Sequence, residues 1–252
     1  LQVAIKAVIR ASEIILETFG NPEGIEYKSR VDVVTDTDKR CEEEIVKIIR
    51  SETPDFGIIA EEGTNFPGEK IWIVDPLDGT KEFIEGVPHF VVSIALVEGG
   101  QPTIGVLYNP VTGETFTAAQ DEGAYLNGEP IHCVTKYNMS EIVILTSRSE
   151  TRRGLWEPYV GTFGELRAIG SVAYKLGLTA AGQADIFASL RPKSEWDICA
   201  GTCIIREAGG KVIDLNGNNI SFNQKQIRIE PGLIAGDIQA VDKAYKVFTA
   251  NT

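Results

Sequence analysis

A continuous apolar run that ends abruptly in acid constrains this chain more than any other segment. Ile71-Trp72-Ile73-Val74 reads as a buried strand, and Asp75-Pro76-Leu77-Asp78-Gly79-Thr80 follows it directly. Proline has no N–H to give a sheet ladder, so the strand must stop or bend at Pro76. Asp78 returns three residues after Asp75, and Gly79 permits a tight turn into a short helix from Thr80. Two carboxylates then converge beside a helix N-terminus, whose free N–H groups favour a phosphate. An ordinary Asx turn capping a helix accounts for the same spacing, and Asp-x-x-Asp-Gly alone does not separate the two readings.

Three further segments repeat the pattern. Ile58-Ile59-Ala60-Glu61-Glu62 presents carboxylates after another apolar run, with a solvated loop as the plain alternative. Trp196-Asp197 opens an apolar helix, where N-capping explains the aspartate equally well, and Thr35-Asp36-Thr37-Asp38 is also a credible cap. Carboxylates and a phosphate are all negative, so crowding them is unfavourable without a cation between them. Oxygen-only ligands select a hard ion such as Mg2+. Two such ions could bind both the attacking and the leaving oxygen of an in-line displacement. Thr80 fits as the holder of the attacking water or of a phosphate oxygen, and Leu77 as a donor through its backbone carbonyl. The net charge of −12 repels nucleic-acid backbones and excludes a duplex-binding role. It also makes metal ions the natural bridge to a phosphorylated metabolite.

At 252 residues and 43% hydrophobic content the chain can bury a full core, as one large domain or two fused lobes. No apolar run reaches the roughly 18 to 20 residues that a membrane helix needs. Lys6, Arg10 and Glu13 interrupt the N-terminal apolar positions at helical spacing, unlike a secretory signal, so a soluble cytoplasmic protein is expected. The four cysteines lack ligand-like spacing with His89 or His132, and Cys199 and Cys203 read as small core residues one helical turn apart.

Val3, Ala7, Ile14 and Leu16 suggest an amphipathic first helix stopped by Gly20. A second helix begins near Thr37 or Asp38, with Ile45, Ile48 and Ile49 facing inward and Glu42, Glu43 and Glu44 suiting its positive N-terminus. From Phe90 an antiparallel meander runs through Val97, Thr103 to Tyr108 and Thr115 to Ala118, with turns at Gly99-Gly100, Asn109-Pro110 and Asn127-Gly128. The polar stretch Cys133 to Ser140 is the expected boundary. An N-terminal α+β lobe, 1–135, would carry most metal ligands, and a C-terminal α/β lobe, 136–252, would complete the metal site and substrate pocket. In the second half strands at Ile142 to Leu145, Ile186 to Leu190, Val212 to Leu215 and Gly232 to Ala235 alternate with helices from Ser171, Trp196 and Val241. Such alternation predicts layered α/β structure.

Taken together the acidic segments resemble the inositol monophosphatase superfamily of lithium-sensitive, magnesium-dependent phosphatases. Trp72-Ile73-Val74-Asp75-Pro76-Leu77-Asp78-Gly79-Thr80 carries one family motif. Glu195-Trp196-Asp197-Ile198-Cys199-Ala200-Gly201, followed by Glu207-Ala208-Gly209-Gly210, carries the other. The Glu61-Glu62 pair and Val33 to Asp38 stand in the family's order. The resemblance covers essentially the whole chain. It implies an α–β–α–β–α sandwich of the inositol monophosphatase/fructose-1,6-bisphosphatase type, commonly a homodimer, with two or three Mg2+ per site. It further implies Glu61, Asp75, Asp78, Asp197 and the Leu77 carbonyl as metal ligands, and Asp38 as a group that helps bind a third metal and its water. Gly79 and Thr80 would contact the phosphate, and Thr80, Glu61 and Asp38 would be the catalytic groups.

Three features resemble the 3′(2′),5′-bisphosphate nucleotidase branch: Lys81-Glu82 after Thr80, Thr146-Ser147-Arg148-Ser149, and Gly170-Ser171 opening a helix that bears Lys175. They imply Lys81, Ser147, Gly170, Ser171 and Lys175 as substrate contacts, with Lys175 on the second phosphate, although both lysines also read as surface residues. Glu150 departs from the histidine usual in that branch. The expected reaction is hydrolysis of the 3′(2′)-phosphate of adenosine 3′(2′),5′-bisphosphate by a metal-activated water. The alternative substrate is inositol 1-phosphate, with fructose 1,6-bisphosphate as a further one. A covalent aspartyl-phosphate mechanism through Asp36-Thr37-Asp38 would need an apolar strand that Lys28, Arg30 and Asp32 spoil. A binding protein that had lost turnover should lack a ligand or Thr80, and none is missing.

Overall fold

The computed structural model describes residues 1–27, 33–134, 136, 138–225 and 227–250, so Lys28, Arg30 and Asp32 and two positions of the expected boundary lie outside the described residues. In chain order the elements are α1 (Gln2–Thr18), β1 (Glu26–Tyr27), β2 (Val33–Val34), α2 (Asp36–Glu52), β3 (Gly57–Ala60), β4 (Asn65–Phe66), β5 (Lys70–Asp78) and α3 (Thr80–Ile84). The meander follows as β6 (Val91–Glu98), β7 (Gln101–Asn109), β8 (Glu114–Ala119), β9 (Gly123–Leu126) and β10 (Glu129–Ile131). The second half contains β11 (Val143–Ser147), α4 (Arg148–Arg152), β12 (Glu165–Ile169), α5 (Val172–Ala180), β13 (Ile186–Ser189), β14 (Lys193–Ser194) and α6 (Glu195–Glu207). It ends with β15 (Gly210–Asp214), β16 (Arg228–Ile229), β17 (Leu233–Asp237) and α7 (Ile238–Ala250).

Among the described residues two sheets dominate, ordered β10-β9-β8-β7-β6-β5-β3-β4 and β12-β11-β13-β17-β15. The side-chain period of two in β5 sets the layers. Trp72 and Val74 face α1 and α2 together with Ile58 and Val92, whereas Ile71 and Ile73 face the opposite layer with Leu107, Leu176 and Ile204. Helices α5 and α6 form that middle layer. They pack on β5 to β8 on one side and on β11, β13, β15 and β17 on the other. Ile144, Ile186 and Ile234 turn outward onto α7. The result is the α–β–α–β–α sandwich that the resemblance implies. The larger sheet lies wholly before residue 132 and the smaller wholly after residue 142, while one core cluster draws on both halves.

The first helix differs in detail from its expected stripe. Ala4, Ala7, Val8, Ala11, Ile14 and Ile15 are buried, and Leu16 is 51% exposed. At 100° per residue Leu16 points away from the Ala7–Ile14 face. Cys199 and Cys203 are buried free thiols in the middle layer, and burial pushes the Cys203 thiol up to about 12. Strand β12 went unread in the sequence because Glu165 and Arg167 pair across one exposed face of an edge strand.

The middle layer sits so close that Gly105 has no room for a side chain: a Cβ would meet the carbonyl oxygen of Ala200 and lie 2.9 Å from the Cys203 Cβ. Gly105→Ala should therefore cost about 1–3 kcal/mol by forcing α6 off the sheet. Urea unfolding midpoints of the two proteins check it, and an unchanged midpoint would contradict this packing.

Candidate active site

Strands β3 and β5 run parallel, with Ala60 opposite Val74, so both deliver their acids to the same end of the sheet. Pairing of β5 with β6 shifts between Asp75 and Asp78, where Pro76 removes a ladder donor. The bulge re-aims the side chains, and Asp75 Oδ1 accepts from the Leu77 N–H at 3.0 Å. Gly79 follows at φ +109, a left-handed conformation, and a Cβ there would lie 2.8 Å from the His89 carbonyl oxygen. Only glycine lets the chain turn here and place Thr80 at the start of α3.

Two aspartates arrive on helices. Asp197 sits in the first turn of α6, where its Oδ2 accepts from the Ser194 N–H at 2.9 Å. Asp38 sits likewise in α2 and accepts from the Thr35 N–H at 2.8 Å. Capping, the plain alternative, is thus real at both positions. A carboxylate has two oxygens, so a cap and a second task do not compete; the cap fixes the rotamer. Asp78 reaches across to the second half of the chain, accepting from the Ser171 hydroxyl at 2.5 Å and from the Ala173 N–H at the start of α5.

Asp75, Asp78 and Asp197 offer oxygens that all lie within 4.8 Å of one another. Asp75 is 1% exposed, and its carboxyl is pushed well up, first by burial and then by the charges of Glu61, Asp78 and Asp197. Burial also raises Asp78, against the opposing pull of the Ser171 hydroxyl, the Ala173 N–H and Lys175. Buried carboxylates that hinder one another's ionisation form an incomplete charge set. The all-oxygen donor set fits a hard divalent cation held by Asp75, Asp78 and Asp197, with Glu61 and Leu77 on the same wall.

A cleft of about 240 Å3 brings together Glu61, Asp75, Leu77, Asp78, Gly79, Thr80, Lys81, Ser147, Gly170, Ser171, Lys175 and Asp197. Asp38 is the one expected site residue outside that lining. It is 1% exposed and stands behind Thr80, whose hydroxyl donates to Asp38 Oδ1 at 2.9 Å and to the Leu77 carbonyl at 3.2 Å. Its carboxyl is raised by burial and held back by the hydrogen bonds from Thr35 and Thr80.

Lys175 is placed differently from its expected role on a second phosphate. It is 2% exposed, and its ammonium donates to the carbonyls of Ile169 at 3.2 Å, Gly170 at 3.1 Å and Ser171. These bonds use all three donors, so Lys175 braces the Ile169-Gly170-Ser171 wall. Burial lowers its pKa to about 8 despite Asp78 and Glu82 nearby. The Ser171 hydroxyl is engaged as well, donating to Asp78 and accepting from the Tyr174 N–H at 2.9 Å. Gly170 is needed because a Cβ would collide with the Glu82 side chain. Ser147 caps α4 and shares a 2.9 Å hydrogen bond with Ser149. Lys81 is exposed at the rim.

Arg148, which the sequence offers only as part of a motif, and Lys193 and Glu42 are cleft-wall or supporting groups that no sequence expectation assigned to the site. Arg148 and Lys193 line the cleft; Arg148 is held by Glu82 at 2.8 Å and Glu85 at 2.6 Å. Glu42 accepts from the Glu62 N–H at 2.6 Å and the Thr64 N–H at 3.0 Å, pinning the turn that carries Glu61. Its placement one helical turn after Asp38, on the same face of α2, was a signal available in the sequence. Glu42→Ala should orphan both amides and cost about 1–3 kcal/mol. Chemical denaturation measures that loss, and faster amide exchange confined to residues 61–64 would locate it; unaltered exchange there would refute the pin.

The sequence profile of the inositol monophosphatase family matches residues 1–245. Inositol monophosphatase 3 of Solanum lycopersicum is 36% identical over 241 residues, covering 90% of this chain and 90% of the relative. A fructose-1,6-bisphosphatase/inositol-1-monophosphatase of Thermotoga maritima is 34% identical over 250 residues, covering 96% and 94%. Among solved structures, the Thermotoga maritima IMPase superposes with a TM-score of 0.89 at 32% identity, over 98% of this chain and 95% of that one.

Proposed function

This chain belongs to the inositol monophosphatase family and is a phosphoric monoester hydrolase; we propose that it uses magnesium to release phosphate from a small phosphorylated metabolite. The convergence of Asp75, Asp78 and Asp197 in one cleft with Glu61 and Thr80 carries this reading. Asp75, Asp78, Asp197, Glu61 and the Leu77 carbonyl would hold the ions, two or three per site. Bound magnesium supplies counter-charge for the phosphoryl oxygens and lowers the pKa of water.

The protein's own groups then have separable tasks. Because the Thr80 proton is directed to Asp38 and Leu77, the lone pairs of its hydroxyl are left to accept from a water in the cleft. That would orient the water's remaining lone pair for in-line attack, and Glu61, on the same wall, would take its proton. Asp38 holds Thr80 in its accepting orientation from behind. The Gly79 turn lets a phosphate approach the backbone closely. Lys175 and Ser171 shape the wall beside Asp78.

For the substrate, adenosine 3′(2′),5′-bisphosphate is supported by Lys193 on the wall, a cation that suits a second phosphate. Inositol 1-phosphate is the second reading, supported by what the relatives are called. The same reading includes a homodimer, a cytoplasmic location and two lobes divided at about residue 135. No helix among the described residues is long and apolar enough to cross a membrane.

Magnesium-dependent phosphate release should vanish with chelator and return with excess Mg2+, assayed on adenosine 3′,5′-bisphosphate, inositol 1-phosphate and fructose 1,6-bisphosphate. Millimolar lithium should inhibit it. Asp75→Asn should lower kcat by more than about a hundredfold, beyond the usual effect of an outer-shell change. Its Tm should hold or rise, because the substitution removes a buried charge from a repelling group. Near-normal turnover in Asp75→Asn would sink the assignment.

A further inference from the structure

Of the four cations that line the cleft, Lys81 lies exposed at the rim and two others are consumed by the protein itself. Lys175 gives its three donors to backbone carbonyls, and Arg148 is clamped between Glu82 and Glu85. Lys193 differs. Its side chain is 15% exposed, its ammonium makes one long hydrogen bond to the Pro192 carbonyl at 3.4 Å, and the nearest carboxylate oxygen, on Glu150, lies 3.8 Å away. An ammonium has three donors, so Lys193 keeps capacity for another anion.

Glu150 explains how that lysine is held. It is 1% exposed and sits on α4, just after the Ser147-Arg148-Ser149 wall. Its Oε1 accepts from the Ser189 hydroxyl at 2.7 Å, and its Oε2 accepts from the Trp156 indole N–H at 3.1 Å and the Leu190 N–H at 3.2 Å. These bonds tie α4 to the Ser189–Lys193 segment and supply a fixed negative charge beside the Lys193 stem. At 3.8 Å the pair attracts without saturating the ammonium. Four residues on, the same segment delivers Asp197 to the cleft. Chemistry at the carboxylate cluster and cation at Lys193 are thus set by one stretch of chain.

We propose that Lys193, positioned by the buried Glu150, binds a second anionic group on the substrate and so selects phosphomonoesters whose alcohol carries another phosphate. This rests on the phosphatase reading above and assigns to Lys193 the contact that Lys175 is too committed to make. Glu150 is a positioning residue, since it stands behind Lys193 and not in the cleft lining.

The test measures kcat/KM with magnesium on adenosine 3′,5′-bisphosphate and inositol 1-phosphate for the wild type, Lys193→Ala, Lys193→Arg, Glu150→Gln and the double variant Lys193→Ala with Glu150→Gln. In Lys193→Ala the ratio of the two values should fall about tenfold to a hundredfold, as expected for a lost charge-assisted hydrogen bond, mainly through KM for the bisphosphate. Lys193→Arg should restore most of the ratio. Glu150→Gln should lower the ratio less and add nothing to Lys193→Ala. Equal losses on both substrates, or a ratio unchanged within twofold, would overturn the role of Lys193 and leave the phosphatase reading standing. A wild type inactive on both substrates would overturn the two together. Additive losses in the double variant would remove Glu150 from the positioning role.

Discussion

Carboxylates that repel one another are held in this cleft by the backbone around them, and much of the remaining architecture follows from that requirement. Asp75 is fixed by the Leu77 N–H, Asp78 by Ser171 and Ala173, and Asp197 by Ser194. Each of these groups would relax away from its neighbours if left free, because burial strengthens like-charge repulsion. Each is tethered through a local turn or helix start instead. The site is therefore strained electrostatically but not conformationally loose, an arrangement that fits a preorganised cation site.

The Asp78 contact with Ser171 and the start of α5 also joins the two halves of the chain. It places the residue contributed by the β5 bulge against the helix that walls the other side of the cleft. Ser171 is held at φ +53, a left-handed conformation uncommon for a residue with a side chain. The three carbonyls donated upon by Lys175 come from the same tight corner. Cleft shape and carboxylate placement are thus mechanically coupled, through Asp78 on one side and Lys175 on the other.

What was legible in the sequence divides along the same line. Asp75, Asp78 and Asp197 could be read because each stands at a chemically marked boundary: an apolar strand meeting proline, or an apolar helix meeting a cap. Such boundaries are local, and local rules reach them. Lys175 could not be read correctly, because its partners are the carbonyls of the turn in front of its own helix and its burial depends on Phe187 in another strand. Leu16 was misplaced for a simpler reason, a phase error of a few residues within a helix whose existence was plain. Strand β12 carried an alternating pattern, but its exposed edge position left Glu165 and Arg167 polar and its signal weak.

The contrast between Lys175 and Lys193 shows why substrate specificity is harder to read than reaction type. A divalent cation needs several oxygens, so its site leaves several correlated marks along the chain. A second phosphate needs one donor with unused capacity, and capacity is a property of everything else that donor touches. Lys175 stands in the cleft with none left, whereas Lys193 retains it because Glu150 is kept 3.8 Å away by its own bonds to Ser189, Trp156 and Leu190. The glutamate that looked like a departure from a nucleotide-binding pattern therefore has a physical task. It replaces a direct contact with an indirect one, setting a lysine where the wall needs a cation without spending it.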